Sequence, residues 1–331
     1  NLAVPIVDGE ATSEAPAATQ SDAMKSFFET VLPSSGCYFL ATPSARGWKH
    51  FAYQDIPTMV TKANELNEQK RNVYFACASF NKESYVDRDG KERRRTAQNA
   101  VAVQSYWLDI DCGEEKARDG TGYKTPKDAA KAIQEFCRTH CLPEPMIVFS
   151  GGGLHCYWPL TSSVTKTEWL ELALKLKELT KFSPTPLLVD QTRTADVASV
   201  LRPVGTNNWK PERGGAEVIL IKPVPSIPFE QFKSAITAAH QTSIAPHLGE
   251  AAASVSALSK ALAGGLTREP VPETEANVKR VRSALAVLDP DCSYDLWRDI
   301  VFAVHSTQWN CGEHLARTWS MGALRKGASH E

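Results

Sequence analysis

The stretch Tyr106-Trp107-Leu108-Asp109-Ile110-Asp111 is an apolar run that ends in two aspartates two residues apart. In a strand, residues i and i+2 point to the same face. The spacing therefore predicts that Asp109 and Asp111 project together, with Leu108 and Ile110 turned into the core. Adjacent carboxylates repel unless a cation lies between them, and hard divalent ions take such oxygen ligands. A metal pair held this way serves phosphoryl and nucleotidyl transfer. An isolated Asp-x-Asp is usually just two solvated aspartates before a turn. Three further stretches give this one a different reading.

The second is Ser150-Gly151-Gly152-Gly153-Leu154-His155-Cys156-Tyr157-Trp158. Consecutive glycines at a strand turn let backbone N–H groups approach a ligand, and such groups bind anions. His155 and Tyr157 share a strand face, where a histidine could hydrogen-bond a phosphate or protonate a leaving oxygen. The third is Leu187-Leu188-Val189-Asp190, an apolar strand ending in a carboxylate that would complete a three-carboxylate metal site. Asp196 competes for that role. The fourth runs from Val200 to Lys210. Its Arg202 can fork onto phosphate and its Lys210 can act as a point charge, which together suit a triphosphate. The basic run Lys91-Glu92-Arg93-Arg94-Arg95 precedes the aspartate strand, so Arg93, Arg94 and Arg95 are expected to contact nucleic-acid phosphate. Cys137, His140 and Cys141 are close enough to suggest zinc, but no second Cys/His pair lies near in sequence.

Positioning these residues needs a mixed α/β region. Residues 1–22 carry acids and small residues and few large apolar groups, and are expected to be disordered. The catalytic region is placed at 23–235. Tyr38–Ala41 and Val73–Ala78 read as strands, with a helix over Pro57–Gln69 between them. Then come a strand Val101–Asp111, a helix opened by Thr125-Pro126, a hairpin of Met146–Ser150 with Leu154–Pro159, a helix Thr167–Thr180 with Leu170, Leu174 and Leu179 inward, and the strand Leu187–Asp190. The order is β-α-β-β-α-β, ferredoxin-like or RNA-recognition-motif-like. Glu217–Ile221 adds a strand. Residues 236–274 read as an Ala/Ser/Pro-rich linker. Residues 275–331 carry Leu285, Leu288, Leu296, Trp297, Ile300, Val301, Val304, Leu315, Trp319 and Leu324 at helical spacing, a small all-α domain that reads as incomplete. The predicted class is α+β followed by all-α.

The chain has 331 residues, a formal net charge of −1 and eight cysteines without a framework spacing. That balance gives no global nucleic-acid signature. The cysteines read as reduced thiols in a cytoplasmic protein. No signal peptide or membrane-length apolar run is visible, and no P-loop is present. The first residue is Asn1 rather than Met, which reads as a processed or trimmed chain.

Leu-Asp-Ile-Asp, Ser-Gly-Gly-Gly-x-His-x-Tyr-Trp, Val-Asp and Leu-Arg-x-x-Gly-Thr-x-Asn-Trp-Lys, in that order, resemble the archaeo-eukaryotic primase superfamily, above all the primase-polymerases of phages, prophages and plasmids. The resemblance covers roughly residues 35 to 225. A weaker one, through Leu285-x-x-Leu288-Asp289-Pro290 and Trp297-Arg298-x-Ile300-x-x-Ala303-Val304-His305, is to the helical domain that often follows. It implies primer synthesis and extension on single-stranded DNA from nucleoside triphosphates. Asp109, Asp111 and Asp190 would hold two Mg²⁺ or Mn²⁺ ions. His155, with Ser150 and Gly152 nearby, would meet the nucleotide's phosphates, and a replicative helicase would be the partner. Arg202-Pro203-Val204-Gly205 departs from the relatives, which place the proline next to the glycine. The alternatives are a non-catalytic replication initiator or origin-binding protein, a metal-dependent nuclease and, more distantly, an Asp-x-Asp glycosyltransferase.

Overall fold

The computed structural model of the protein describes residues 19–45, 47–243, 272–288, 290, 292, 294–307 and 309–324. The chain divides into two units, residues 1–250 and 251–331.

The first unit opens with α1 (Gln20–Val31). Thr19 and Asp22 form a capping box, and Met24, Phe27, Phe28 and Val31 recur on one buried face. Residues 19–22, expected to be disordered, are therefore the capped first turn of a helix; residues 1–18 lie outside the described residues. There follow β1 (Tyr38–Ser44), β2 (Gly47–Tyr53), α2 (Ile56–Glu68), β3 (Tyr74–Ala76), β4 (Ser79–Phe80), β5 (Tyr85–Val86), β6 (Glu92–Arg93), β7 (Ala100–Ile110), α3 (Glu114–Arg118), α4 (Pro126–Thr139), β8 (Met146–Phe149) and β9 (Leu154–Thr165). After them come α5 (Lys166–Phe182), α6 (Gln191–Thr194), β10 (Val200–Leu201), β11 (Asn207–Asn208), β12 (Ala216–Glu217), β13 (Ile219–Lys222) and α7 (Phe229–Ser243). The class is α+β.

Two sheets matter for the site, one ordered β10-β3-β1-β2 and the other β13-β8-β9-β7-β4. β7 and β8 each run antiparallel to β9, so they are parallel to one another and α4 joins them as a split βαβ unit. Thr125 caps α4 and Pro126 opens it, as the sequence predicts.

The fourth strand of that pattern differs. Leu187–Asp190 is extended but forms no ladder. The Asp190 N–H donates to the Asp109 carbonyl at 2.8 Å, and the Leu188 N–H donates to the Tyr123 hydroxyl. β4 pairs with β7 only at Ala100 and Ala102, and Asp190 is already committed to capping α6.

α5 also differs in which face it buries. Trp169, Leu172, Ala173, Leu176 and Leu179 are inward, whereas Leu170 and Leu174 are 41% and 47% exposed. The large Trp169 sets the face, its ring 4.7 Å from Trp107 and 5.9 Å from Tyr106. α7 runs through the boundary placed at residue 235. Phe232, Ile236 and Ala239 are buried on it, so its alanines belong to a packed helix rather than a linker. Residues 244–271 lie outside the described residues.

The second unit is helical as expected: α8 (Glu275–Val287), α9 (Tyr294–His305) and α10 (Gly312–Leu324). Leu285, Val304, Leu315, Ala316 and Trp319 form its core, with Trp297, Ile300 and Val301 against them. The Glu273 carboxylate accepts from the N–H groups of Asn310 and Cys311, just before α10. Leu288 is 38% exposed. Asp289 and the side chains of Leu296 and Leu324 lie outside the described residues. Among the described residues, no helix is long and apolar enough to cross a membrane.

Candidate active site

The register of β7 against β9 builds the floor of the site by setting Asp109 opposite His155. The glycine turn is forced by close approaches on every side. A Cβ on Gly151 would stand 2.5 Å from the Asn208 side chain, on Gly152 2.7 Å from the Arg213 guanidinium, and on Gly153 2.2 Å from the Ile110 carbonyl oxygen. Ser150 closes the turn, its hydroxyl accepting from the Gly153 N–H at 3.1 Å. A Gly153→Ala change must push β9 away from the end of β7. The expected loss is ~1–3 kcal/mol of unfolding free energy, the usual range for overpacking, measured by urea denaturation. An unchanged midpoint would mean that the turn relaxes freely.

One pocket gathers Asp109, Asp111, Asp190 and His155 with Ser150, Gly152, Arg202 and Lys210. These eight residues come from the four separate stretches of sequence. Tyr74, Arg193, Asn208 and Arg213 line it too; of these the sequence motifs include only Asn208, and to it they assign no role. The Asp109 side chain is one-fifth exposed. Burial, then the nearby Asp111 and Asp190, push its carboxyl up to about 7 against the opposing pull of Arg193 and Arg202. Lys116 pairs with Asp111 at 2.7 Å. The Arg193 Nε lies 3.4 Å from Asp190 Oδ2 and 4.0 Å from Asp109 Oδ2, so one guanidinium spans two carboxylates. Asp190 Oδ1 accepts from the Thr192 N–H and hydroxyl. Asp196, the competitor, accepts from the Ala198 N–H and the Ser199 hydroxyl and does not line the pocket.

His155 is 2% exposed, with Nε2 3.7 Å from Asp109 Oδ1 and Nδ1 3.5 Å from the Tyr157 hydroxyl. Burial, with Arg202 and Arg193 adding to it, pushes its pKa down to about 3. The ring is therefore neutral near pH 7. Of the two roles open to it, this supports the hydrogen-bond donor rather than the source of a proton.

The fourth stretch is fixed from α2. Asn67 accepts from the Asn207 N–H and the Trp209 indole N–H, and donates to the Asn207 side chain. Gly205, at φ +82°, turns the loop; its N–H donates to Val218 and its carbonyl accepts from Gln20. Arg202 ends up 7% exposed. Its Nη2 donates to the Tyr74 hydroxyl at 2.6 Å, and its Nε has no partner. Lys210 stands exposed at the rim. Arg213 anchors on the Cys112 carbonyl at 2.9 Å.

Arg93, Arg94 and Arg95 do not line the pocket. Arg93 pairs with Asp87 and Arg94 with Glu92, next to the β5–β6 hairpin. Cys137 is buried and its thiol is pushed up to about 12, while Cys141 is exposed. The His140 nitrogens face the hydroxyls of Thr185 and Ser243.

Primases are among the solved structures that the chain resembles. The archaeo-eukaryotic primase domain of the cyanophage S-2L primase-polymerase aligns at 16% identity and TM-score 0.41, covering 61% of this chain and 89% of that one. The catalytic domain of primase RepB′, in complex with initiator DNA, aligns at 13% and 0.40, covering 67% and 94%. Primase RepB′ aligns at 12% and 0.40, covering 94% and 100%. No family model and no curated protein matches the chain.

Proposed function

We propose that this chain is a DNA primase-polymerase, which makes and extends primers on single-stranded DNA by template-directed nucleotidyl transfer. The observation that carries the reading is the division of charge within one pocket. Asp109, Asp111 and Asp190 lie with a buried arginine and the further cations Lys210 and Arg213. A nuclease needs the carboxylates but not the cations. An initiator without catalysis needs neither a buried Arg202 nor a crowded Asp109. The split βαβ order of β7, β8 and β9, with Asp190 beside the end of β7, supports an RNA-recognition-motif-like core whose fourth strand is reduced to a single hydrogen bond.

The donor set is carboxylate oxygen only, which suits Mg²⁺ or Mn²⁺. Among the described residues, no three acidic, His or Cys side chains are already gathered for one ion; Lys116 pairs with Asp111, and Arg193 with Asp190. These pairs are partly exposed, so they are weak enough to yield to a divalent cation. When bound, such ions would activate the primer 3′-hydroxyl and neutralise the triphosphate and leaving pyrophosphate. The chain's own part is to orient. Arg202 and Lys210 hold the triphosphate, His155 offers one N–H to it, and the glycine turn fixes the distance between β9 and β7.

The test is incorporation of labelled nucleotides on unprimed single-stranded DNA with Mg²⁺ or Mn²⁺. Short products are expected, and EDTA should abolish them. DNA binding without incorporation on either unprimed or primed template would sink the reading and favour an initiator.

A further inference from the structure

The four-stranded sheet carries an aromatic edge that its packing does not require. β2 is the edge strand, and Trp48 on it is 46% exposed. The register pairs His50 with Ala41 and Ala41 with Tyr74, so His50 and Tyr74 share a sheet face. Trp48, two residues from His50, lies on that face as well. Its ring stands 5.2 Å from that of Tyr74, edge to face. Tyr74 lines the pocket and accepts the Arg202 hydrogen bond. A ledge of aromatic rings therefore leads out of the pocket, from Tyr74 at its inner end to Trp48 at its outer end.

Positive charge runs along the ledge. The Arg95 Nε donates to His50 Nε2 at 3.3 Å. His50 must be neutral to accept, and burial with the nearby Arg95 and Arg94 holds its pKa below the usual value. Among the described residues no carboxylate pairs with Arg95, whereas Arg93 and Arg94 are each taken by an acid of their own. Arg95 also lies within electrostatic range of Asp196 and of Arg193, the residue that spans Asp109 and Asp190. Exposed aromatic surface on an edge strand invites aggregation unless a partner covers it. Flat aromatic rings beside a half-buried guanidinium that has no carboxylate partner among the described residues, continuous with a polymerase-type pocket, fit a strand of unpaired bases joined by phosphates.

We propose that Trp48, His50, Tyr74 and Arg95 form the track along which single-stranded DNA template reaches the pocket, with a base stacked on Trp48 and a backbone phosphate on Arg95. This rests on the polymerase reading, since the template is the strand such a pocket must be fed.

The test uses the full chain, a fluorescein-labelled oligothymidylate and EDTA, so that binding is read without catalysis. Anisotropy titrations at several salt concentrations compare Trp48→Ala, Trp48→Phe, Arg95→Gln and Arg94→Gln, each first checked for a wild-type unfolding midpoint. Trp48→Ala should weaken binding about tenfold, as loss of one base–aromatic stack does, and Trp48→Phe should restore most of it. Arg95→Gln should lower the slope of log affinity against log salt by about 0.7, one phosphate contact on a single strand. Arg94→Gln should leave the slope unchanged. Wild-type binding by both Trp48→Ala and Arg95→Gln would overturn the track. So would unchanged DNA affinity with weakened binding of a labelled nucleoside triphosphate in Mn²⁺, which would give the ledge to the incoming base. The two readings fail separately. DNA binding through Trp48 without nucleotide incorporation sinks the polymerase and keeps the track. Incorporation that does not depend on Trp48 or Arg95 keeps the polymerase and sinks the track.

Discussion

Replacing Asp109 and Asp111 together with alanine is expected to lower nucleotide incorporation at least ~10³-fold on primed and unprimed templates, the scale set by losing electrostatic stabilisation of developing charge. Both residues line the pocket, and no other carboxylate on β7 could replace them. The same change should not destabilise the fold in metal-free buffer. Burial and the neighbouring carboxylates hold Asp109 at about 7, above its unfolded value of ~3.9. A carboxyl raised by folding binds more protons folded than unfolded, so its contribution to stability falls as pH rises from about 4 to about 7. Removing it should leave the unfolding midpoint at pH 8 unchanged or higher. Lost incorporation with an intact midpoint and intact DNA binding assigns these aspartates to chemistry. Incorporation within tenfold of wild type would remove them from it.

The parts of this site that sequence made legible are those where composition leaves one physical solution. An apolar run closed by Asp-x-Asp must be a strand with its carboxylates at the end, and β7 ends at Ile110, between them. Three glycines in a row must be a turn that something approaches closely, and here Asn208, Arg213 and Ile110 do. Thr125-Pro126 must open a helix. The partners of these groups were not legible, because they come from distant stretches with no local pattern. Tyr74 comes from β3, Arg213 from the turn before β12, and Lys116 from α3. Arg193 could have been found, since it lies three residues after Asp190 on a helix that Asp190 caps. The strand placed at Leu187–Asp190 failed because the stretch makes one backbone bond to β7, from the Asp190 N–H to the Asp109 carbonyl, while the Leu188 N–H turns to the Tyr123 hydroxyl. The run Arg93–Arg95 looked uniform in sequence, yet Asp87 and Glu92 neutralise two of its members and leave Arg95 to His50. Helix α1 was hidden because its capping box sits at the end of a stretch of small residues.

Arg202→Lys is expected to raise the KM for the incoming nucleotide about 100-fold with a smaller effect on kcat. The side chain is buried, and two acceptors fix one edge of its guanidinium: the Tyr74 hydroxyl at 2.6 Å and the Asn72 amide oxygen at 3.4 Å. Its face lies over the Tyr74 ring, 4.6 Å from the centroid. The Nε edge has no protein partner although it is buried. A buried donor left without an acceptor costs ~1–3 kcal/mol, so a structural arginine at this position would have its Nε paired. An anionic oxygen bound in the pocket would supply the missing acceptor, and a phosphate can take two donors of the fork at once. Lysine keeps the charge but not the fork, and truncating one partner of a buried hydrogen-bonded charge pair costs ~2–5 kcal/mol, which includes the 100-fold expected here. Tyr74→Phe should act in the same direction but less, because it frees the guanidinium without removing it. Steady-state kinetics on a primed template with varied nucleotide would measure both. A wild-type KM in Arg202→Lys with a lowered unfolding midpoint would make Arg202 a brace between β3 and β10, and would leave Lys210 and Arg213 to hold the triphosphate.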